Sequence, residues 1–338
     1  MIKRIVSHRV AGGWCALAAA CLLGGCGGGD DAPPPAGQPK RVALVMKSLA
    51  NEFFKTMEEG ARKHQQKDPT RYELISNGIK DERDVAAQVA LVEQMIAQKV
   101  NALVIAPADS KALVPVCKKA KDAGIEVVNI DNKFDDEALE EKAVKIPFVG
   151  PDNRKGARMA GEYLAKKLKP GDEVAILEGM PNAVNGIMRK LGFEAAMDAA
   201  GMKIVAKQTA NWHMDEAEKV TSGLLAQHPN LKAILCANDN MALGAVAALR
   251  AAGKLGSVLV VGYDNIEAVQ KEILAGNILC TVDQHADQIA VEGIRHALDI
   301  LGGHLTPEAS DYKETQVDLI TADDLKKQAE RKAPTETK

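Results

Sequence analysis

The residues with the clearest chemical potential come directly after predicted strands, where loops begin. They are charged, amide and aromatic side chains: Lys47, Asn51, Phe53, Phe54, Asp131, Asn132, Arg189, Trp212, Asn238, Asp264 and Gln284. Carboxylate, amide and guanidinium groups hydrogen-bond vicinal hydroxyls, and aromatic rings cover C–H faces. Together they are typical of a site for a small polyhydroxylated ring.

Each position also has a structural interpretation. Asp and Asn are favoured helix N-caps, so one such residue after a strand says little about a ligand. Phe53 and Phe54 fit equally well as core residues under a sheet, and Lys47 is either a ligand donor or a surface lysine. The repetition of such residues after nearly every strand favours a binding site.

The elements that position these residues alternate along the chain. Predicted strands are Val42–Met46, Tyr72–Ser76, Ala102–Ile105, Glu126–Ile130, Pro147–Val149, Glu173–Glu178, Lys203–Thr209, Ala233–Ala237, Leu259–Tyr263, Leu279–Val282 and a short one near Val317–Ile320. Predicted helices are Glu52–Gln66, Asp84–Ala97, Ala112–Ala123, Gly156–Lys167, Ala183–Ala199, Met214–Gln227, Met241–Ala251, Glu267–Ala275 and Ala286–Leu301. This pattern predicts two similar α/β domains with parallel sheets, with ligands at the carboxyl edges of the strands.

The first 25 residues are predicted to be a lipoprotein signal peptide. Basic residues precede a short apolar stretch, Val10–Leu23, which is too short to span a membrane. The following Gly-Gly-Cys resembles the end of a bacterial lipobox, with Cys26 as the lipidated residue; the alternative is a plain secretory peptide with an incidental cysteine. Residues 26–39 are predicted to be a flexible tether. The protein is therefore expected at the periplasmic face of a membrane, held by a lipid anchor.

Composition excludes several other classes of protein. A net charge of −3 over 338 residues gives no reason to expect nucleic acid as a partner. Cys117, Cys236 and Cys280 remain after processing, without metal-type spacing, and are predicted to be buried thiols. The histidines are scattered and no phosphate-binding loop is present. We therefore expect that the protein is not an enzyme and that it has no metal site and no cofactor.

Over Lys40–Thr321 the sequence resembles the ribose-binding branch of periplasmic sugar-binding proteins, the receptors of ABC importers. It also resembles the effector domains of LacI-type repressors, but a leader and a tether stand where a repressor has its DNA-binding helices. The resemblance rests on the stretches VALVMKSLANEFF, LVIAPADSKAL, VVNIDNK, VGPDNRKGARMAGEYLAKKL, ILCANDNMALGAVAALRAAGK, VLVVGYD and CTVDQHADQIA.

The resemblance implies a type I periplasmic binding fold, with two Rossmann-like lobes, a three-stranded hinge and a ligand cleft that closes by hinge motion. The N-terminal lobe would comprise residues 40–151 and 285–315, and the C-terminal lobe residues 152–284 and 316–326. Residues 327–338 would form a disordered tail. The implied function is a monomeric receptor that delivers a sugar to a membrane permease; the alternative is a sugar or autoinducer sensor in chemotaxis or signalling.

By position, the family's ligand contacts fall on Asn51, Phe53, Phe54, Asp131, Arg189, Trp212, Asn238, Asp264 and Gln284. Trp212 and one of the two phenylalanines would sandwich the sugar ring. The sequence departs from the ribose receptors at Lys47, where they have serine, at Asn132, where they have arginine, and at Ala106, where they have asparagine. A monosaccharide or polyol ligand is therefore expected, but not ribose in particular.

Overall fold

A computed structural model describes residues 39–306 and 311–332. The predictions for residues 1–38, which include the signal peptide and Cys26, lie outside the described residues. Strands are β1 (Lys40–Met46), β2 (Tyr72–Gly78), β3 (Ala102–Ile105), β4 (Glu126–Ile130), β5 (Phe148–Pro151), β6 (Glu173–Glu178), β7 (Lys203–Thr209), β8 (Leu231–Cys236), β9 (Leu259–Val261), β10 (Cys280–Asp283), β11 (Tyr312–Thr315) and β12 (Asp318–Thr321).

The helices lie between the strands. They are α1 (Glu52–Lys67), α2 (Val85–Ala97), α3 (Val114–Asp122), α4 (Asp136–Glu141), α5 (Asn153–Ala165), α6 (Val184–Ala199), α7 (Met214–Gln227), α8 (Asp239–Ala251), α9 (Glu267–Leu274), α10 (Ala286–Leu301) and α11 (Ala322–Lys332). None of these described helices is long and apolar enough to cross a membrane.

The strands form two six-stranded sheets. The first has the order β11-β5-β4-β3-β1-β2, and all its neighbouring strands are parallel. The second has the order β12-β10-β9-β8-β6-β7, and only β12 runs antiparallel to its neighbour. The predicted pair of similar parallel-sheet α/β domains is confirmed.

Helices cover both faces of each sheet, which explains the continuous apolar strands. In β1, Val42, Leu44 and Met46 face a core cluster that includes residues of α1 and α10. The alternate residues Ala43 and Val45 face a second cluster with α2 and α3. Because both faces of β1 are buried, the strand places the loop that follows it at the carboxyl edge of the sheet.

The chain passes between the two sheets three times. It leaves the first sheet after β5, returns after β10, where α10 packs on β3 and β4, and leaves again between β11 and β12. These passages form the expected three-stranded hinge. We call the part built on the first sheet lobe 1 and the part built on the second sheet lobe 2.

Two elements differ from the sequence prediction. The short helix α4 was not predicted, because four of its six residues are acidic, none is fully buried, and only Ala138 and Leu139 pack partly against the core. Helix α11 continues to Lys332, so residues 327–332 are helical and the predicted disordered tail is wrong there. The buried Leu325 anchors this helix, and Asp324 accepts hydrogen bonds from the backbone and hydroxyl of Thr321 at its start.

Candidate ligand-binding site

The carboxyl ends of the strands of both sheets face one cavity between the lobes. It has a volume of about 20 Å³ and is lined by Lys47, Asn51, Phe53, Phe54, Glu82, Asp131, Asn185, Arg189, Trp212, Asn238, Asp264 and Gln284. This is room for about one water molecule, so the lobes must move apart before a larger ligand can enter. The structure brings every predicted site residue except Asn132 to its wall.

Lys47 is a buried cation between two buried carboxylates. Its Nζ lies 3.0 Å from Asp131 Oδ2 and 3.7 Å from Glu82 Oε2. Burial alone lowers the pKa of Lys47, but the charges of Asp131 and Glu82 outweigh burial, and the pKa is raised. Burial also raises the pKa of Glu82, against the effect of the Lys47 charge. Lys47 is therefore a protonated member of the site and not a surface lysine.

Phe53 and Phe54 belong both to the hydrophobic core and to the cavity wall. They lie in the first turn of α1, where Asn51 Oδ1 accepts a hydrogen bond from the Phe53 N–H at 3.0 Å. Their rings meet edge to face with centres 5.1 Å apart, and both belong to a core cluster as well as to the cavity wall. The cap on α1 thus fixes two aromatic faces beside the polar groups.

Arg189 is a buried charge of lobe 2 that is held by several contacts. Its Nε donates to Asn153 Oδ1 at 2.7 Å, and Nη1 donates to the Ala237 carbonyl at 2.8 Å. Nη1 also lies 3.3 Å from Asp264 Oδ1, and the guanidinium carbon is 3.8 Å from the centre of the Tyr263 ring. These contacts position the planar guanidinium group before any ligand arrives.

The Asp264 carboxylate is held between Arg189 and Gln284. Gln284 Nε2 donates to Asp264 Oδ1 at 2.7 Å, whereas Gln284 Oε1 is buried and has no hydrogen-bond partner. Burial raises the pKa of Asp264 well above its usual range, while the Arg189 charge opposes that shift. A ligand hydroxyl that donates to Gln284 Oε1 would satisfy this buried acceptor.

The loop that carries Asp264 is supported from behind by Asp239, the first residue of α8. Asp239 Oδ1 accepts from the Thr281 hydroxyl at 2.7 Å, and Oδ2 accepts from the Ile266 N–H at 2.9 Å. A Cβ on Gly262 would lie 2.1 Å from Asp239 Oδ1, so only glycine permits this approach. Burial raises the pKa of Asp239 to about 7, although both hydrogen bonds lower it.

Trp212 lies against two glycines of lobe 2. A Cβ on Gly179 would lie 2.0 Å from the indole ring, and one on Gly186 would lie 3.0 Å from it. Three cavity residues adopt positive φ: Asp131 at 61°, Trp212 at 69° and Asp264 at 124°. Such strained backbone in non-glycine residues is concentrated at functional sites.

Asn132, unlike the other predicted site residues, does not line the cavity. Its Nδ2 donates to the Pro107 carbonyl at 2.8 Å, and its Oδ1 accepts from the Ser110 hydroxyl at 3.2 Å. The chain turns at Asp131, where φ is 61°, so consecutive side chains leave in different directions. Asp131 thus reaches the cavity and Asn132 stays within the loops beside it.

Sequence reasoning missed Glu82 and Asn185. Glu82 belongs to the charged run Lys80–Asp84, which resembles a solvated surface, but it follows strand β2 as the other site residues follow their strands. Asn185 precedes Arg189 by four residues on α6, so both lie on one helix face. The place of Glu82 after β2 and the four-residue spacing between Asn185 and Arg189 were the features of the sequence that could have identified both residues.

The cysteines of the described residues do not line the cavity. Within residues 39–306 and 311–332 there is no cluster of His, Cys, Asp and Glu suited to a metal ion. Cys117, Cys236 and Cys280 are free and buried, as predicted. Burial raises the pKa of each of these thiols, which keeps them protonated and unreactive.

Comparisons with known proteins agree with this architecture. The periplasmic binding protein domain family matches residues 42–305. The D-ribose/D-allose-binding protein of Pseudomonas aeruginosa is 54% identical over 324 residues, which cover 95% of this chain and 100% of that protein.

Two solved structures are also similar. An ABC transporter solute-binding protein from Burkholderia multivorans, with an unknown ligand represented as α-D-erythrofuranose, has 57% identity and a TM-score of 0.82. The alignment covers 84% of this chain and all of that one. A periplasmic solute-binding protein from Actinobacillus succinogenes with bound D-allose has 36% identity and a TM-score of 0.79, with coverage of 85% and 99%.

The two lobes and the polar cavity between them define a receptor for a small solute, with the type I periplasmic binding fold. The chain belongs to the periplasmic binding protein family, in its ribose-binding branch of sugar receptors.

Proposed function

We propose that the cavity binds an aldose of the D-allose or D-ribose type, and that the cleft closes around it. The protein is a sugar-binding receptor of an ABC importer, which presents its ligand to the membrane permease. The relative from Pseudomonas aeruginosa, which matches over its whole length, is named for these two sugars. The observation that carries the proposal is the enclosure of one small cavity by charged, amide and aromatic side chains from both lobes.

The two lobes offer complementary groups to a sugar ring. Lobe 1 supplies the Lys47 ammonium and the Asp131 carboxylate, and lobe 2 supplies the Arg189 guanidinium with Asp264. Each hydroxyl both donates and accepts, so neighbouring hydroxyls can pair with a carboxylate and a cation together. The faces of Phe54 and Phe53 suit the C–H surface of the ring. Closure excludes water and strengthens each of these contacts.

Titration calorimetry with a panel of epimers tests the proposal. We expect D-allose and D-ribose to bind, and their C3 epimers, D-glucose and D-xylose, to bind at least about 100-fold more weakly. The reason is that a misplaced hydroxyl leaves a buried polar group unpaired. The polyol myo-inositol completes the panel. Failure of both aldoses to bind, or tighter binding of an epimer or of the polyol, contradicts the assignment.

Membership in this family places the protein in the periplasm. We further propose that it acts as a monomer and is anchored to a membrane through a lipid on Cys26, because Leu23-Gly-Gly-Cys follows a short apolar stretch. Cys26→Ser should then move the protein from membrane to soluble fractions without changing sugar affinity. Cys21→Ser is the matched control and should stay in the membrane fraction. A wild-type protein that is already soluble and unlipidated refutes the anchor.

A further inference from the structure

Helix α6, which carries Asn185 and Arg189 to the cavity, has no cap of its own. Its N-cap residue is Ala183, whose methyl side chain accepts no hydrogen bond. The first N–H groups of a helix have no partner within the helix and need an acceptor from elsewhere. For α6 these groups include the N–H of Val184 and that of Asn185.

Both N–H groups are bound by side chains of lobe 1. The Val184 N–H donates to Ser110 Oγ at 3.0 Å, and the Asn185 N–H donates to Asn132 Oδ1 at 3.1 Å. The Ser110 hydroxyl also donates to Asn132 Oδ1 at 3.2 Å, so the two acceptors form one unit. Both side chains are buried, and neither lines the cavity.

The same arrangement recurs at a second helix. The N-cap residue of α9, Ile266, has no side-chain acceptor. The N–H of Glu267, the first residue of α9, instead donates to Glu52 Oε1 of lobe 1 at 2.5 Å. By contrast, α2 is capped within its own lobe, by Asp84 Oδ1, which accepts from the Ala87 N–H at 2.9 Å.

We propose that Ser110 and Asn132 are positioning residues that cap α6 across the cleft and thereby stabilise the closed state. This inference rests on the proposed function, because it concerns how closure contributes to sugar affinity. Opening the cleft breaks both hydrogen bonds and leaves the two N–H groups to water. The apparent affinity of a ligand falls with the fraction of competent, closed protein. The cap therefore contributes the same factor to the affinity for every sugar.

Ser110→Ala is the direct test. One helix cap changes an equilibrium by about threefold to thirtyfold, so we expect Kd to rise by roughly tenfold, by the same factor for D-allose and D-ribose. The melting temperature of the sugar-free protein should fall less than it does in the control below, because only its closed fraction uses this cap. Asp84→Ala, which removes the cap of α2, is the matched control: it should lower the melting temperature and leave Kd as it is.

A local cap supplies the converse test. Ala183 has φ −111° and ψ 116°, an extended conformation that suits a serine N-cap. In an Ala183→Ser background, the new hydroxyl can accept from the Asn185 N–H, the second of the helix, in both the open and the closed state. The loss of affinity caused by Asn132→Ala should then shrink to less than about threefold, since the acceptor for this N–H is retained. A ligand contact or a purely structural role for Asn132 would give no such rescue.

A ligand-free measurement separates this inference from the proposed function. Spin labels on Lys63→Cys in lobe 1 and Lys219→Cys in lobe 2 report the distance between the lobes; these side chains are 73% and 78% exposed, and Cys117, Cys236 and Cys280 are buried. Ser110→Ala should lower the closed fraction. If no sugar binds the wild-type protein, the proposed function fails while this comparison still tests the cap. An identical closed fraction in both proteins, or unequal losses for the two sugars, overturns the proposal.

Discussion

Lys47 Nζ lies 3.0 Å from Asp131 Oδ2, and both side chains are buried at the cavity wall. Glu82, at 3.7 Å, makes this one cation the neutralising partner of two carboxylates. A buried charge that loses its partner is costly, because neither water nor another charge replaces it. The first prediction follows from this arrangement.

Lys47→Met should lower the free energy of unfolding by about 3–5 kcal/mol, as for other broken buried ion pairs, and abolish sugar binding at neutral pH. Because Lys47 lowers the pKa of Glu82, its removal raises that pKa further above 4.5, and the variant should lose stability as pH rises beyond this value. Urea denaturation between pH 4 and 8 measures the free energy of unfolding and its pH dependence, and calorimetry measures sugar binding. Adding Glu82→Gln should restore part of the lost stability. Wild-type stability and affinity in Lys47→Met would show that the Lys47–Asp131 pair is dispensable.

Arg189→Lys should weaken sugar binding by at least about 100-fold while the protein still unfolds cooperatively. Lysine keeps the positive charge but loses the planar fork that contacts Asn153, Ala237 and Asp264 together. Calorimetry gives the affinity and a thermal melt gives the fold. Near-native affinity in the lysine variant would mean that charge alone, and not the geometry of the guanidinium group, matters here.

Trp212 should report sugar binding through its fluorescence, since closure removes water from the indole. Trp212→Ala should weaken binding by about 1–3 kcal/mol, and Trp212→Phe should recover much of that loss because phenylalanine keeps a flat apolar face. A structural tryptophan would behave otherwise: its removal would lower the melting temperature of the sugar-free protein and spare affinity.

Gly179→Ala gives an independent test of whether the position of the Trp212 ring at the cavity wall determines sugar affinity. Its new methyl group would lie 2.0 Å from the Trp212 ring, so the indole must shift and affinity should fall although residue 179 does not line the cavity. Gly223→Ala is the control, because a Cβ there meets no atom within 4 Å beyond its own helix backbone. It should stabilise α7 by up to about 1 kcal/mol and leave Kd unchanged.

Asp239 should make the stability of the sugar-free protein depend on pH. Burial raises its folded-state pKa from 3.8 to about 7, so its contribution to stability is complete below about pH 4 and is lost as pH rises through 7. The stability difference between wild type and Asp239→Asn should therefore be largest near pH 4 and shrink towards pH 8. Denaturant midpoints across that range measure it, and a difference that does not vary with pH contradicts the assignment.

Much of the cavity wall was predictable because parallel strands bring their carboxyl ends together. Asp131, Arg189 and Asp264 stand where that rule places them. Asn132 lies off the cavity wall because the direction of its side chain depends on the positive φ of Asp131, which the residue types do not reveal. Glu82 was missed because neighbouring charges made its segment resemble surface, whereas the buried Lys47 draws it inward.

The three passages of the chain between the sheets have a consequence for cloning. Lobe 1 needs α10 and β11, which are encoded after the whole of β6 to β10, and lobe 2 needs β12, which is encoded later still. Neither lobe is a continuous stretch of the gene, so no single stop codon yields an isolated lobe. A chain ending before Ala286 would expose the apolar surface that α10 covers on β3 and β4.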